Sequence, residues 1–199
     1  MAITAEMVKE LRQSTGAGVL ECRKALEACE GDMDKAMQRL REKGLAAAEK
    51  RSGRAANQGV IGSYIHTGSR VAGLIEVNCE TDFVARTDEF QEMAHELAMQ
   101  VVAARPRWVN AEDVPADVLE AEKGIYRKQV LAEGKPENIV ERIVTGKVEK
   151  FYDQYCLLRQ PHFRNPDVTV GDYVKEQTAK MGENVIVRRF VRYEVGETD

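Results

Sequence analysis

The sequence is poor in the residues and runs that mark many functional classes. No stretch approaches about 18 uninterrupted apolar residues, so no bilayer-spanning helix is expected. The first residues, Met1 to Glu6, bring in acid at once and lack a basic segment followed by an apolar one, which argues against a secretory leader. Only four cysteines occur (Cys22, Cys29, Cys79, Cys156), too scattered for a disulfide framework. The expectation is a soluble, cytoplasmic chain with reduced thiols. There is no CxxC or HxxxH pair, so no metal site is expected, and no cofactor. A phosphate-binding loop is missing, and Gly16-Ala17-Gly18 lacks both the third glycine and the preceding strand of a dinucleotide loop. Basic surplus is absent too. With 29 basic and 33 acidic side chains the net charge is −4, and neither the first 58 residues nor the remainder is strongly basic, which disfavours nucleic acid as a direct partner.

What is present is ordinary globular material, 43% hydrophobic and 31% charged in 199 residues. Residues 1–45 read as three short helices. Thr4 is placed to cap the first, with Ile3 and Val8 as a hydrophobic staple, and Gly16 to Gly18 interrupt it. The second, from Val19 to Cys29, sets Val19, Cys22, Leu26 and Cys29 on one face. Gly31 closes it and Asp32 caps the third, whose stripe of Met33, Ala36, Met37 and Leu40 is expected to end at Gly44. Leu20 shares its side with Arg23, Lys24 and Glu27, so it is either a scattered surface leucine or a docking contact beside the glycine loop. Residues 46–58, with Lys50, Arg51 and Arg54 among alanines, read as a solvated helical linker, with an RNA-contacting patch as the alternative.

From Gly59 the hydrophobic period changes to two. Val60 to His66 and Arg70 to Glu80 read as strands joined by the turn Thr67-Gly68-Ser69, with Val71, Gly73, Ile75, Val77 and Cys79 facing the core. Thr87 then opens an amphipathic helix that ends at Pro106. Two further helices are expected, from about Ala116 to Glu133 and from Glu137 to about Leu158, as an insertion spanning about 112–158. Thr169 and Asp172 resemble a capping pair for a last helix that stops at Gly182, and Val185 to Val195 is a final strand. The fold class is α+β: a three-helix module, then a core (59–199) with a three-stranded antiparallel sheet packed against helices.

Candidate chemistry is sparse. Cys22 and Cys29 lie two turns apart on a buried face, which suits packing. His66, His95 and His162 stand apart from any recognisable nucleophile. The unusual element is Asp82-Phe83, between a buried strand and a helix. Either Phe83 tucks into the core as the strand ends, or it projects as a wedge for a partner; periodicity leaves both open.

Three segments carry a resemblance. Leu11 to Leu26 (LRQSTGAGVLECRKAL) resembles the N-terminal signature of the elongation factor Ts family, Glu76 to Arg86 (EVNCETDFVAR) is similar to its second signature, and Gly182 to Phe190 (GENVIVRRF) to a core strand of that family. Arg23 stands where the family usually has lysine, which keeps the charge. The resemblance implies a ubiquitin-associated-like first module and a non-enzymatic guanine-nucleotide exchange factor for the GTPase elongation factor Tu, one that binds the GDP form, loosens GDP and Mg²⁺, and leaves when GTP enters. It implies that Leu11, Arg12 and Gly16, Ala17, Gly18, Val19 and Leu20 dock on the GTPase. It also implies that Thr81, Asp82, Phe83 and Val84 dislodge the partner's Mg²⁺, and that His66 reaches toward the phosphate side. Longer family members carry a duplicated core; this chain has one, and a homodimer is a way to supply the absent second surface. The competing readings are an enzyme using Cys79 or His66 and a ubiquitin-binding adaptor built on residues 1–45.

Overall fold

The computed structural model describes residues 2–197. Eight α-helices and three strands are ordered α1 (Ala5–Thr15), α2 (Val19–Ala28), α3 (Met33–Arg51), β1 (Gln58–Ile65), β2 (Val71–Cys79), α4 (Asp82–Ala85), α5 (Asp88–Ala104), α6 (Ala116–Ala132), α7 (Glu137–Tyr155), α8 (Val170–Met181) and β3 (Ile186–Glu194) among the described residues. The class is α+β, as the patterning predicts. The chain divides into two compact units, and neither is one continuous segment. The first gathers the chain up to Gly59, then Asn78–Arg86 and Val174–Ile186; the second gathers Val60–Val77, Thr87–Tyr173 and the chain from Val187 onward.

In the first unit the expected caps form. Thr4 Oγ1 accepts from the Met7 amide at 3.2 Å, and Asp32 Oδ1 from the Lys35 amide at 3.0 Å, satisfying amides that a helix start leaves orphaned. Val8, Leu11, Cys22, Ala25, Leu26 and Ala36 make the core of the three-helix module, edged by Ile3, Met33 and Leu40. Three details depart from the hydrophobic pattern, the first being Met37 of the α3 stripe, which is exposed. Val19, expected on the buried face of α2, is 52% exposed, because it stands in the first turn, where the helix has barely left the glycine loop. Gly44 does not end α3, which runs on to Arg51. The glycine serves a close approach instead: a Cβ built there would lie 3.1 Å from the Ala179 Cβ of α8. One turn earlier, Arg41 pairs with Glu176 of α8 at 2.5 Å.

The second unit holds the sheet, apart from the strand ends Gln58, Gly59, Asn78, Cys79 and Ile186. Strand order is β1-β2-β3, antiparallel, with β1 and β2 joined through the Thr67-Gly68-Ser69 turn. Gly73, Ile75 and Val77 of β2 are buried, as alternation requires. Helix α5 buries Phe90, Met93, Ala94, Leu97, Ala98 and Val101. It approaches the sheet so closely that a Cβ at Gly62 would collide with the Ala94 carbonyl, and one at Gly73 would lie 3.0 Å from the Ala98 carbonyl oxygen. Helices α6 and α7 pair through Val130, Val140, Val144 and Val148. The irregular stretch after α7 is held by buried Gln100, which donates to the Pro161 carbonyl (3.2 Å) and accepts from the Phe163 amide (2.8 Å). Thr169 and Asp172 do form the capping pair of α8: the Asp172 amide donates to Thr169 Oγ1 at 3.0 Å.

Candidate partner-binding site

Strand β2 ends at Cys79, and the chain turns at Thr81, whose extended backbone (φ −125°, ψ 154°) makes it the N-cap of the one-turn helix α4. The Thr81 hydroxyl has two roles. It accepts from the Val84 amide (3.4 Å) and donates to Glu183 Oε1 (2.6 Å). The other oxygen of Glu183 accepts from the amides of Glu80 (3.1 Å) and Thr81 (3.0 Å). One carboxylate, from the segment between α8 and β3, therefore closes three hydrogen bonds on two residues. The clasp is reciprocal. The Asn184 amide donates to Glu80 Oε1 (2.7 Å), and the Asn184 side chain donates to the carbonyls of Ser52 (3.2 Å) and Arg54 (2.7 Å). All these groups lie in the first unit.

Above this clasp stands Phe83, 79% exposed. Of the two placements open in the sequence, the projecting one is found. Asp82 beside it pairs with Arg86 one turn on (2.8 Å), an exposed pair worth little to stability. Val84 is half-buried and Ala85 turns into the core.

The glycine loop is built from nearer residues. Gly16 takes the left-handed conformation (φ +67°) that closes α1, its amide bonded to the Arg12 carbonyl at 2.8 Å. Thr15 Oγ1 donates to the Leu11 carbonyl (2.6 Å) and accepts from the Ala17 amide (3.3 Å). Leu20 emerges 72% exposed, next to exposed Val19. Arg12 and Gly18 lie at the surface and Ala17 is half-buried. Leu11, by contrast, is 0% exposed: it supports the loop from the core and presents no surface. A Cβ built on Gly16 would lie 3.8 Å from the Lys180 side chain in the last turn of α8.

His66 belongs to the second unit, at the end of β1, exposed and with Nδ1 3.1 Å from the Tyr64 hydroxyl. Cys79 is fully buried, its thiol donating to the Thr81 carbonyl (3.1 Å); burial first, then the nearby Glu183 charge, pushes its pKa up. A thiol held protonated is a poor nucleophile, which disfavours the Cys79 enzyme reading. Among the described residues no group of three or more His, Cys, Asp or Glu could hold a metal ion. Sequence reasoning missed Glu80, Glu183 and Asn184 as builders of the site. The only signal was their presence in the segments that carry the resemblance.

Two large apolar side chains, Leu20 and Phe83, thus stand in water, each on a turn tied by hydrogen bonds. Residues 3–197 match the family described as Elongation factor TS. The chain is 56% identical over 195 residues to Elongation factor Ts of Carboxydothermus hydrogenoformans, covering 98% of this chain and 90% of that one. It is 56% identical to the Thermoanaerobacter sp. protein of the same name (98% and 96% covered) and 53% to that of Desulfosudis oleivorans (98% and 98%). The chain belongs to the elongation factor Ts family. It is a nucleotide-exchange factor for elongation factor Tu in translation elongation, a cytoplasmic factor and not an enzyme. No helix among the described residues is long and apolar enough to cross a membrane.

Proposed function

We propose that Phe83, presented with Thr81, Asp82 and Val84 on the α4 turn, is the wedge by which this chain loosens Mg²⁺ and GDP in elongation factor Tu. In this reading the glycine loop, with Val19 and Leu20, is the dock. The observation that carries it is the 79% exposure of a phenylalanine on a turn tied by five hydrogen bonds, counting the Thr81 N-cap and the Asn184 amide. A large apolar side chain left in water on an ordered turn gains free energy when a partner covers it.

The physics is linkage. If the chain binds the nucleotide-free GTPase more tightly than the GDP form, GDP must weaken the chain's binding by the same factor, so each ligand expels the other. Burying one phenylalanine gives about 1.5–3 kcal/mol, or roughly ten- to a hundredfold. Phe83 is thus one lever among several, and loss of metal coordination in the partner together with an extended interface supplies the rest. His66 is assigned to the phosphate side of the same partner. The test is release of fluorescent GDP from elongation factor Tu: Phe83→Ala slows it while circular dichroism stays unchanged, and release at the wild-type rate sinks the wedge.

We further propose a homodimer through the outer face of the sheet. Ile61 and Ile65 of β1, Leu74 of β2 and Tyr193 of β3 are 60%, 65%, 42% and 65% exposed. A sheet with one solvated face ordinarily carries polar residues there. Light scattering of the free chain and of Leu74→Glu distinguishes a dimer from a monomer. Cys156 is fully buried with its thiol raised to about 11, chiefly by burial, so no bridge through it is invoked.

A further inference from the structure

We infer that Glu183 is a positioning residue for nucleotide exchange: through Thr81 it holds the α4 turn in the one arrangement that presents Phe83. The inference rests on the wedge reading above and goes one step beneath it. An exposed aromatic on a free turn samples many orientations, and ordering it at the moment of docking costs conformational entropy that subtracts from its effect. Glu183 removes that cost beforehand. Its two oxygens accept from both backbone amides that precede α4 and from the hydroxyl that caps α4, at 2.6–3.1 Å. These are charge-assisted bonds, which are stronger than neutral ones. The cap then passes the constraint on, because the same Thr81 hydroxyl receives the Val84 amide. Glu183 comes from a distant part of the sequence and is itself held in place, since the next residue, Asn184, is 3% exposed and bonded to Glu80, Ser52 and Arg54.

The geometry separates the two conservative replacements. Glutamine keeps one carbonyl oxygen for the two amides, and its amide group can donate to the Thr81 hydroxyl, so Glu183→Gln retains most of the clasp. Glu183→Ala removes all three of its bonds, whereas Thr81→Val removes only those of the hydroxyl. Thr81→Val also leaves Glu183 bonded to both amides, which confines the damage to the cap.

The test is a double-mutant cycle on labelled-GDP release from elongation factor Tu, using the full-length chain. Glu183→Ala slows release by about tenfold in the wild-type background. It causes no further slowing in the Phe83→Ala background, while Glu183→Gln stays within about threefold of wild type. In parallel, amide hydrogen exchange at Glu80 and Thr81 accelerates in Glu183→Ala, with the amides of α1–α3 keeping their protection. Equal slowing by Glu183→Ala in both backgrounds overturns the inference, because it means that Glu183 acts by some route other than Phe83. Unchanged exchange at Glu80 and Thr81 overturns it as well. If Phe83→Ala releases GDP at the wild-type rate, the wedge reading and the inference fall together; if Phe83→Ala is slow but the cycle is additive, the inference falls alone.

Discussion

The glycine loop and the α4 turn do the same thing by different means. Each lifts one large apolar side chain into water, Leu20 at 72% and Phe83 at 79% exposure. The loop is tied by its neighbours: Thr15 bonds Leu11 and Ala17, and Gly16 bonds Arg12, all within four residues. The α4 turn is tied by Glu183, about a hundred positions further along the chain. A locally tied loop forms whenever its helices form. The other turn exists only once α8 has packed and delivered its end to β2, so its geometry depends on tertiary structure.

That contrast orders the expected effects. Phe83→Ala should be the most damaging, slowing GDP release by about ten- to a hundredfold, as removal of one buried aromatic from the partner would. Leu20→Ala should weaken association with nucleotide-free elongation factor Tu by about tenfold, read by calorimetry, while release at saturating factor changes little. If both variants slow release at saturation equally, the division into dock and wedge is lost. Gly16→Ala should cost about 1 kcal/mol in urea unfolding, because φ +67° strains any residue with a Cβ. No change there would mean the loop is not held at that angle.

The smallest effect lies in the second unit and serves as a control for both turns. His162 is buried, its Nε2 without a hydrogen-bond partner among the described residues, 3.8 Å from Glu96, and its ring tilted against that of Tyr173 at 4.6 Å between centroids. Burial is the main cause that lowers its pKa from 6.5; Arg164 adds to the shift and Glu96 opposes it. The unfolded chain therefore takes the proton first. Stability is unaffected above about pH 6.5 and falls as pH drops below it toward the folded-state value. His162→Phe should flatten that decline in thermal melts between pH 7 and 5, with GDP release at pH 7 unaltered.

The same division explains what could be read in advance. Caps at Thr4, Asp32, Thr87 and Thr169, the strand alternation of β2 and the exposure of Leu20 all follow from spacings of a few residues, and all are found. In sequence Gly44 reads as a helix end, because a glycine that stops a helix and one that admits a neighbouring helix look alike until Ala179 is brought against it. Periodicity alone puts Val19 on a buried face, since it does not register that a first turn can lie beyond the core. For Phe83 no local pattern separates burial from projection, since the deciding group is Glu183. Family resemblance pointed to the segment, but the carboxylate that shapes it is visible only in three dimensions.

Lys180, in the last turn of α8, and Glu183, just beyond the helix, stand three residues apart, one against Gly16 and the other beneath Thr81. In the proposed docking mode the end of α8 and the residues just beyond it thus serve as a caliper, setting the separation at which Leu20 and Phe83 would meet the GTPase. An insertion or deletion between those two positions would leave each turn intact and shift one against the other, so that either could engage the partner but not both together.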